Sequence, residues 1–317
     1  MTTDSQKAVE VRNLVKTYDG KKNAVDDLSF SVEKGEIYGL LGKNGAGKST
    51  TIKVLTTLIP PSAGTVHVSG LDLRKKPNSI RKIVGVVQQE EAFDFTTVEN
   101  NFKIYGMLWE VPKAVVKERM DQLIELFNLS ELRRKRVFEL SGGQKKRLQV
   151  AREFIHDMDV LFLDEPTVGM DPIMRRKVLD FVKEKAKGGL TVMFTTQILE
   201  EADYICDRIG IIDNGKLVAE GTSRQLKDQF GSVKKLEITM HNVLEDAEKN
   251  DVSDFIRNAD GVTDFQVRGR SIWIVGNNMS RILNLMIKKI TSMSIEIDQI
   301  IFDAPSLDDV FLEVVKR

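Results

Sequence analysis

Residues 42–49 of the chain read Gly42-Lys43-Asn44-Gly45-Ala46-Gly47-Lys48-Ser49. They follow the apolar segment Ile37–Leu41 and precede residues 50–57, whose composition is compatible with a helix. Between a strand and a helix, such glycines let the backbone curve around phosphate groups with its amide hydrogens pointing inward, and the helix N-terminus adds positive potential. The pattern therefore predicts a phosphate-binding loop, with a glycine-rich turn that binds no ligand as the alternative.

The loop also predicts which phosphates are bound and how. A lysine at the position of Lys48 neutralises β- and γ-phosphate oxygens, and a serine at the position of Ser49 can ligate Mg²⁺. We therefore expect an ATP site that also holds Mg²⁺. The predicted nucleotide-binding residues of the loop are Gly42, Asn44, Gly45, Ala46, Gly47, Lys48, Ser49 and Thr50.

Two acidic residues follow a second apolar segment, in the order Val160-Leu161-Phe162-Leu163-Asp164-Glu165. This order places two carboxylates at the end of a buried strand. Asp164 is predicted to hold Mg²⁺ through water, and Glu165 is predicted to be the catalytic base that polarises the attacking water. Taken alone, the two acids could simply open a loop, but the phosphate-binding loop in the same chain favours the catalytic interpretation.

The wider pattern predicts an α/β fold. Short, continuously apolar segments alternate with helical patterns in the first two hundred residues, which is typical of a largely parallel sheet covered on both faces. Between about residues 90 and 157 the helical period dominates, and after residue 222 strands and amphipathic helices alternate in a βαββαβα order. We expect two domains, residues 1–225 and a small α+β domain at 226–317. The four predicted core strands are residues 37–41, 84–87, 160–163 and 191–194.

The pentapeptide Leu140-Ser141-Gly142-Gly143-Gln144 distinguishes this chain from most nucleotide hydrolases with a phosphate-binding loop. With it, the chain resembles the ATPases of ATP-binding cassette (ABC) transporters. Ser141 is a good helix N-cap, and the positive end of the following helix suits a γ-phosphate, although a capped helix without a ligand would share these features. The resemblance implies a P-loop NTPase cassette with a RecA-like core, an inserted helical lobe at about residues 90–157, and a head-to-tail dimer. It assigns contacts with the partner's nucleotide to Ser141, Gly142, Gly143 and Gln144.

Three further positions match this family. Tyr18 resembles the aromatic residue that stacks on adenine, although packing is the alternative. Gln89 resembles the glutamine that reaches Mg²⁺ and the attacking water, with its neighbour Gln88 as the alternative register. Asp171, in Gly169-Met170-Asp171, resembles the aspartate that communicates across the dimer.

One position departs from the family. Where a histidine normally follows a Thr-Thr pair, this chain has Gln197. Glutamine keeps an amide donor of similar reach but carries no proton or charge to the γ-phosphate. Losing one charge-assisted hydrogen bond is worth roughly 1–3 kcal/mol, or about 10- to 100-fold in rate. We expect ATP binding and slower turnover. Two alternatives remain: neighbouring residues accommodate Gln197, or the chain is an ATP-dependent clamp or regulatory subunit.

The C-terminal segment Pro305-Ser306-Leu307-Asp308-Asp309-Val310-Phe311-Leu312 is similar to the ending of the ATPases of type 2 ABC exporters. That resemblance implies an ATP-hydrolysing subunit that powers export through a separate integral-membrane permease, in a dimer of like or unlike chains. In this family the helical lobe receives a cytoplasmic helix of the permease. The aromatic candidates for this contact, with core packing as the alternative, are Phe93, Phe95, Phe102, Tyr105 and Trp109.

The composition of the 317 residues limits the partners and the compartment. Forty-seven basic residues balance forty-seven acidic ones, which gives no electrostatic reason to expect nucleic acid and disfavours the soluble ABC proteins of translation or DNA maintenance. The single cysteine, Cys206, and a polar N-terminus predict a reducing, cytoplasmic environment. No apolar run approaches the ~20 residues that cross a bilayer. We therefore expect a peripheral subunit on the inner face of the cell membrane.

Overall fold

The computed structural model forms two compact units, Met1–Ser223 and Arg224–Arg317. The sequence placed this boundary between residues 225 and 226. Each unit has its own hydrophobic core, because apolar clusters form separately in each. The structure describes residues 7–89, 95–230, 234–276, 279–303 and 306–316.

The first unit contains ten strands and seven α-helices within the described residues. Its strands are β1 (Lys7–Thr17), β2 (Asn23–Glu33), β3 (Ile37–Leu41), β4 (Ala63–Val68), β5 (Leu71–Asp72), β6 (Val84–Val87), β7 (Val160–Asp164), β8 (Thr191–Thr195), β9 (Arg208–Asp213) and β10 (Lys216–Gly221). Its helices are α1 (Lys48–Leu55), α2 (Pro77–Arg81), α3 (Val98–Leu108), α4 (Lys113–Leu126), α5 (Gly142–Glu153), α6 (Pro172–Lys187) and α7 (Leu199–Ile205).

A six-stranded sheet of order β10-β9-β3-β8-β7-β6 forms the centre of this unit. Its strands are parallel from β6 to β9, and β10 pairs antiparallel with β9. Strands β3, β7 and β8 are buried along their whole length, as expected for parallel strands covered on both faces. The four predicted core strands are confirmed, and the carboxyl ends of β3, β7 and β8 meet at one edge of the sheet.

A second sheet, of order β2-β1-β4-β5, was not predicted from the sequence. Its β1–β2 pairing shifts register between Val11 and Leu14. At this bulge Asn13 and Asp27 have positive φ angles of 49° and 56°, and the side-chain amide of Asn13 donates to the Asp27 carboxylate at 2.8 Å. The bulge interrupts the alternation of apolar and polar residues by which a half-buried strand is recognised.

The described residues between 95 and 157 contain helices α3, α4 and α5 and two short 3₁₀ turns, Ser130–Leu132 and Val137–Glu139. An isolated bridge between Thr97 and Arg136 is the strand-like pairing found there. Apolar side chains of all three helices join one core cluster with strand residues of the central sheet. Residues 90–94, at the predicted start of the helical lobe, lie outside the described residues.

The second unit confirms the predicted βαββαβα order, which follows helix α8. Its elements are α8 (Ser223–Phe230), β11 (Lys234–Met240), α9 (Asp246–Arg257), β12 (Val262–Arg268), β13 (Ser271–Gly276), α10 (Met279–Ser292), β14 (Ile297–Asp303) and α11 (Leu307–Lys316). The strands form one antiparallel sheet of order β12-β13-β11-β14.

Helix α11 begins with a capping box formed by Ser306 and Asp309. The Ser306 hydroxyl accepts from the Asp309 amide at 3.2 Å, and the Asp309 carboxylate accepts from the Ser306 amide at 2.9 Å. These bonds to Ser306 hold the pKa of Asp309 below its usual range. None of the described helices is long and apolar enough to cross a bilayer.

Candidate functional site

The phosphate-binding loop lies between β3 and α1, and its shape depends on glycines at two close approaches. Gly47, the N-cap of α1, has φ 110°, and a Cβ there would lie 2.5 Å from the carbonyl oxygen of Ala24. A Cβ at Gly42 would lie 2.5 Å from the carbonyl oxygen of Ile212. Real Cβ atoms do not approach backbone oxygens so closely, so both positions require glycine.

Lys48 is buried at the start of α1. Its ammonium donates to the carbonyl oxygens of Gly42 at 2.7 Å and Lys43 at 3.2 Å, which places it over the loop. Burial lowers the pKa of Lys48, and the negative charges of Glu165 and Asp164 oppose that shift. The ammonium of Lys48 therefore interacts electrostatically with both acidic residues at the end of β7.

The first turn of α1 carries the other predicted contacts. Ser49 and Thr50 are half-buried there. Tyr18 reaches this turn from the end of β1, since its hydroxyl lies 3.4 Å from the Thr50 hydroxyl. The Tyr18 side chain is 65% exposed, so its ring is open to stacking on a flat, apolar ligand face.

The acidic pair stands at the end of β7, as predicted. Asp164 is buried and accepts a 2.5 Å hydrogen bond from the hydroxyl of Thr195, its partner on β8. Glu165 has a positive φ of 51°, and its amide donates to the carbonyl oxygen of Thr195 at 3.1 Å. A non-glycine residue in the left-handed region costs energy and persists where its surroundings hold it.

Gln197 directly contacts the predicted base. Its amide nitrogen donates to a carboxylate oxygen of Glu165 at 2.5 Å. The residue that replaces the expected histidine therefore still supplies a hydrogen bond beside the general-base candidate. That bond orients Glu165 without adding a positive charge next to it.

Residues 140–144, the signature pentapeptide, lead into α5, and their serine and glutamine form a capping box. The Ser141 hydroxyl accepts from the Gln144 amide at 3.3 Å, and the Gln144 side chain accepts from the Ser141 amide at 3.0 Å. Ser141 and Gly142 are exposed. A Cβ at Gly143 would lie 2.2 Å from the carbonyl oxygen of Gly169, so the pentapeptide packs directly against the segment that follows β7.

That segment ends at Asp171, the N-cap of α6. The Asp171 carboxylate accepts from the Met174 amide at 2.9 Å, and the residue is exposed. Gln89 is also exposed, just after β6. The carbonyl oxygens of Gln88 and Gln89 accept hydrogen bonds at 3.0 and 3.2 Å from the ammonium of Lys146 on α5.

Comparison with known proteins establishes the family. A family model described as ABC transporter matches residues 25–168. The daunorubicin/doxorubicin resistance ATP-binding protein of Streptomyces peucetius is 41% identical over 249 residues, which are 78% of this chain and 75% of that protein. The chain belongs to the ABC transporter family. A daunorubicin resistance ATP-binding protein of Streptomyces coeruleorubidus is 36% identical to this ABC subunit over 308 residues, which are 97% of this chain and 95% of that protein.

A solved structure supports the same family assignment. The ABC cassette superposes on an ATP-binding subunit of an ABC transporter with a TM-score of 0.66 at 29% identity, over 71% of this chain and 93% of that one. The predicted family, the α/β P-loop cassette fold and the ATPase class are confirmed.

Several residues that shape the ABC site were not among those predicted from the sequence. Thr195 was noted only as part of the Thr-Thr pair that precedes Gln197, although its hydroxyl holds Asp164. Lys146 and Gln149 were not singled out, although both donate to the Gln88 carbonyl. The sequence does contain a pattern that could have identified Lys146 and Gln149. Together with Glu153 they are spaced as residues on one face of a helix, and that face of α5 is buried.

Proposed function

We propose that the phosphate loop and the acidic pair bind and hydrolyse Mg·ATP. The observation that carries this proposal is that the phosphate loop follows β3 and the acidic pair ends β7, so that both lie at the same edge of the parallel sheet, on either side of β8. In this assignment, Lys48 and the loop amides bind phosphates, and Tyr18 stacks on the base.

The site also fits Mg²⁺. Ser49 offers a hydroxyl and Asp164 a buried carboxylate that the Thr195 hydroxyl orients, and hard oxygen donors are what this ion prefers. The exposed Gln89 amide completes the proposed set. When bound, Mg²⁺ neutralises charge that develops on the phosphate oxygens.

Glu165 is the proposed general base. Its carboxylate accepts the proton of the attacking water, and Gln197 holds that carboxylate in place through the 2.5 Å bond. Because glutamine is neutral, Gln197 offers no positive charge to the γ-phosphate, which a protonated histidine at this position would do. We therefore expect hydrolysis at a reduced rate.

The signature pentapeptide is proposed to complete the site of a second cassette. Ser141 and Gly142 are exposed at the N-terminus of α5, where helix amides and positive potential suit a γ-phosphate. Asp171 lies on the segment that packs against Gly143 and is the proposed contact across the dimer.

A permease contact is proposed on the helical lobe. The bridge between Thr97 and Arg136 brings two exposed aromatic residues, Phe95 (94% exposed) and Phe138, to one part of the surface. Exposed apolar side chains of this kind mark protein contacts, and the proposed location is the inner face of the cell membrane.

Three of the predicted aromatic candidates have other roles. Phe102 is fully buried in the core, so of the two alternatives core packing applies to it. The Tyr105 hydroxyl donates to Glu153 at 2.7 Å, and Trp109 stacks on His156 with ring centroids 3.8 Å apart. Phe93 lies outside the described residues.

The relatives suggest the cargo. Two of them are named for resistance to daunorubicin, so we propose export of a drug-like organic compound.

The proposed permease contact on the helical lobe predicts that Phe138→Lys lowers co-purification with a membrane protein of several spans. Val243→Lys, at an exposed aliphatic residue of the second unit, is the matched control and should leave it unchanged. Equal loss in both variants would argue against this surface.

The primary test is Mg-dependent ATP turnover by the purified chain. We expect Glu165→Gln to abolish turnover while ATP still binds, because the carboxylate that accepts the proton is lost. Gln197→His should raise turnover by roughly tenfold, since it restores a charge-assisted bond.

Other outcomes separate the alternatives. Normal hydrolysis by Glu165→Gln would remove Glu165 from the role of base. Tight ATP binding without turnover in the wild type and in Gln197→His would support the clamp or regulatory alternative instead.

A further inference from the structure

A buried carboxylate outside the predicted site links two of its segments. Glu201, in the first turn of α7, is 3% exposed. One of its oxygens accepts from the hydroxyl of Thr167 at 2.7 Å, and the other accepts from the hydroxyl of Thr196 at 2.6 Å. Both threonines are buried as well, so these bonds are shielded from water and geometrically well defined.

The two threonines stand beside the proposed catalytic pair. Thr167 is two residues after Glu165, on the segment that leaves β7, and Thr196 immediately precedes Gln197, on the segment that leaves β8. The Thr196 hydroxyl also accepts from the Ile198 amide at 3.0 Å, which shapes the backbone around Gln197. Glu201 therefore fixes the distance between the two segments that carry the base and its hydrogen-bond donor.

The charge of Glu201 is compensated by a residue of α6. The Nε atom of Arg175 lies 3.2 Å from the Glu201 oxygen that also accepts from Thr167. A buried carboxylate is tolerated when an opposite charge and hydrogen-bond donors surround it. Since Asp171 caps the same helix, this ion pair connects the catalytic segments with the proposed dimer contact.

We propose that Glu201 is a positioning residue for ATP hydrolysis, acting through Thr167 and Thr196 on Glu165 and Gln197. The proposal rests on the catalytic roles proposed above for the latter two. Glu201 does not belong to the phosphate-binding loop, so its loss should leave nucleotide affinity unchanged. Misplacing a reacting group by a fraction of an ångström slows the chemical step, and we expect kcat to fall by about tenfold or more while KM for ATP changes by less than about twofold.

The test compares Glu201→Gln with Glu36→Gln. The amide keeps the size of Glu201 but offers one acceptor oxygen where the two hydroxyls use two. Glu36 is the matched control, because its buried carboxylate also pairs with an arginine, Arg208 at 3.1 Å. It directly precedes β3, at the opposite end of that strand from the phosphate loop. Glu36→Gln should leave kcat within about twofold of the wild type.

A second measurement does not depend on turnover. Backbone amide hydrogen exchange should become faster in Glu201→Gln at residues 167–170 and 196–198 together, and not in Glu36→Gln. Unchanged exchange in both segments, or an equal change in the control, would overturn the positioning role.

The two proposals fail in different ways. If the wild type hydrolyses ATP and Glu201→Gln has the same kcat, the positioning role is wrong and the catalytic assignment stands. If Glu165→Gln hydrolyses ATP normally, the catalytic assignment is wrong, and with it the role of Glu201 in hydrolysis.

Discussion

At Gly47 the backbone of the phosphate loop leaves no space for a side chain, whereas Gly45 in the same loop stands in open surroundings. Both have positive φ angles, 110° and 80°. A Cβ at Gly47 would meet the Ala24 carbonyl oxygen at 2.5 Å, and one at Gly45 would meet no atom of the described chain within 4 Å. The two glycines therefore separate the cost of the backbone conformation from the cost of a steric clash.

We predict that Gly47→Ala destabilises the free chain more than Gly45→Ala does. The left-handed conformation alone should cost Gly45→Ala about 1–2 kcal/mol, and the added clash should bring Gly47→Ala to about 2–4 kcal/mol. Urea unfolding of both variants, followed by a spectroscopic signal of the first unit, measures the difference in their free energies of unfolding. Equal destabilisation would show that the loop relaxes around the new methyl group.

Among the secondary-structure elements, helix α5 carries polar side chains on its buried face, where apolar residues are usual. Lys146 and Gln149 bond to the Gln88 carbonyl. Further along, Glu153 accepts from the Val86 amide at 3.2 Å and from the Tyr105 hydroxyl at 2.7 Å. These hydrogen bonds attach β6 and the segment after it to helix α5, which follows the signature pentapeptide. We therefore expect the β6 segment and helix α5 to move together.

Burial of Glu153 makes stability depend on pH. Desolvation raises the pKa of Glu153 from 4.5 to about 7. In the folded chain the Glu153 carboxyl therefore stays protonated at pH values where the same group of the unfolded chain has ionised. Its contribution to the free energy of unfolding is fully present below about pH 4.5 and is lost as the pH rises through about 7. Ionisation above that range disfavours the folded state by up to about 3 kcal/mol.

We predict that Glu153→Gln stabilises the chain relative to the wild type at pH 8.5 and much less at pH 5.5. The pKa of His156, lowered by burial to about 4, contributes equally to both proteins and cancels in their difference. Thermal unfolding at the two pH values measures the effect. A stability difference that does not vary with pH would mean that Glu153 is ionised throughout.

How much of each element could be predicted depended on the pattern it presents. The strands β3, β6, β7 and β8 are continuously apolar and were found, whereas the bulge at Asn13 and Asp27 concealed β1 and β2. Among site residues, those in a fixed local motif were identified. Thr195 and Glu201 were not, because their partners are about thirty residues away or on another element, and spacing in the sequence carries no trace of such contacts.

At the scale of the whole molecule, the proposed site is divided between two chains. In this proposal, Lys48 and Glu165 act in the chain that binds the nucleotide, and Ser141 acts on the nucleotide of the partner. This division distinguishes a site completed in trans from one contained in a single chain.

We predict that Lys48→Ala and Ser141→Arg chains are each inactive and recover turnover when mixed. A mixed dimer contains one site built from the undamaged loop and the undamaged signature, so equal amounts should reach about a quarter of wild-type activity if pairing is random. Mixed samples that show no more activity than the separate variants would argue against a site shared between like chains.

The close packing of Gly143 against Gly169 has a genetic consequence. A substitution in either segment disturbs both parts that a chain presents to its neighbour, while that chain's own loop can still hold a nucleotide. An allele of this kind would be only partly dominant in a cell that also carries the normal gene, since a mixed dimer would lose the nucleotide site of the normal copy and keep that of the faulty copy. An allele that damages the phosphate loop would inactivate the opposite site of a mixed dimer, and the two kinds of allele should therefore complement each other in one cell.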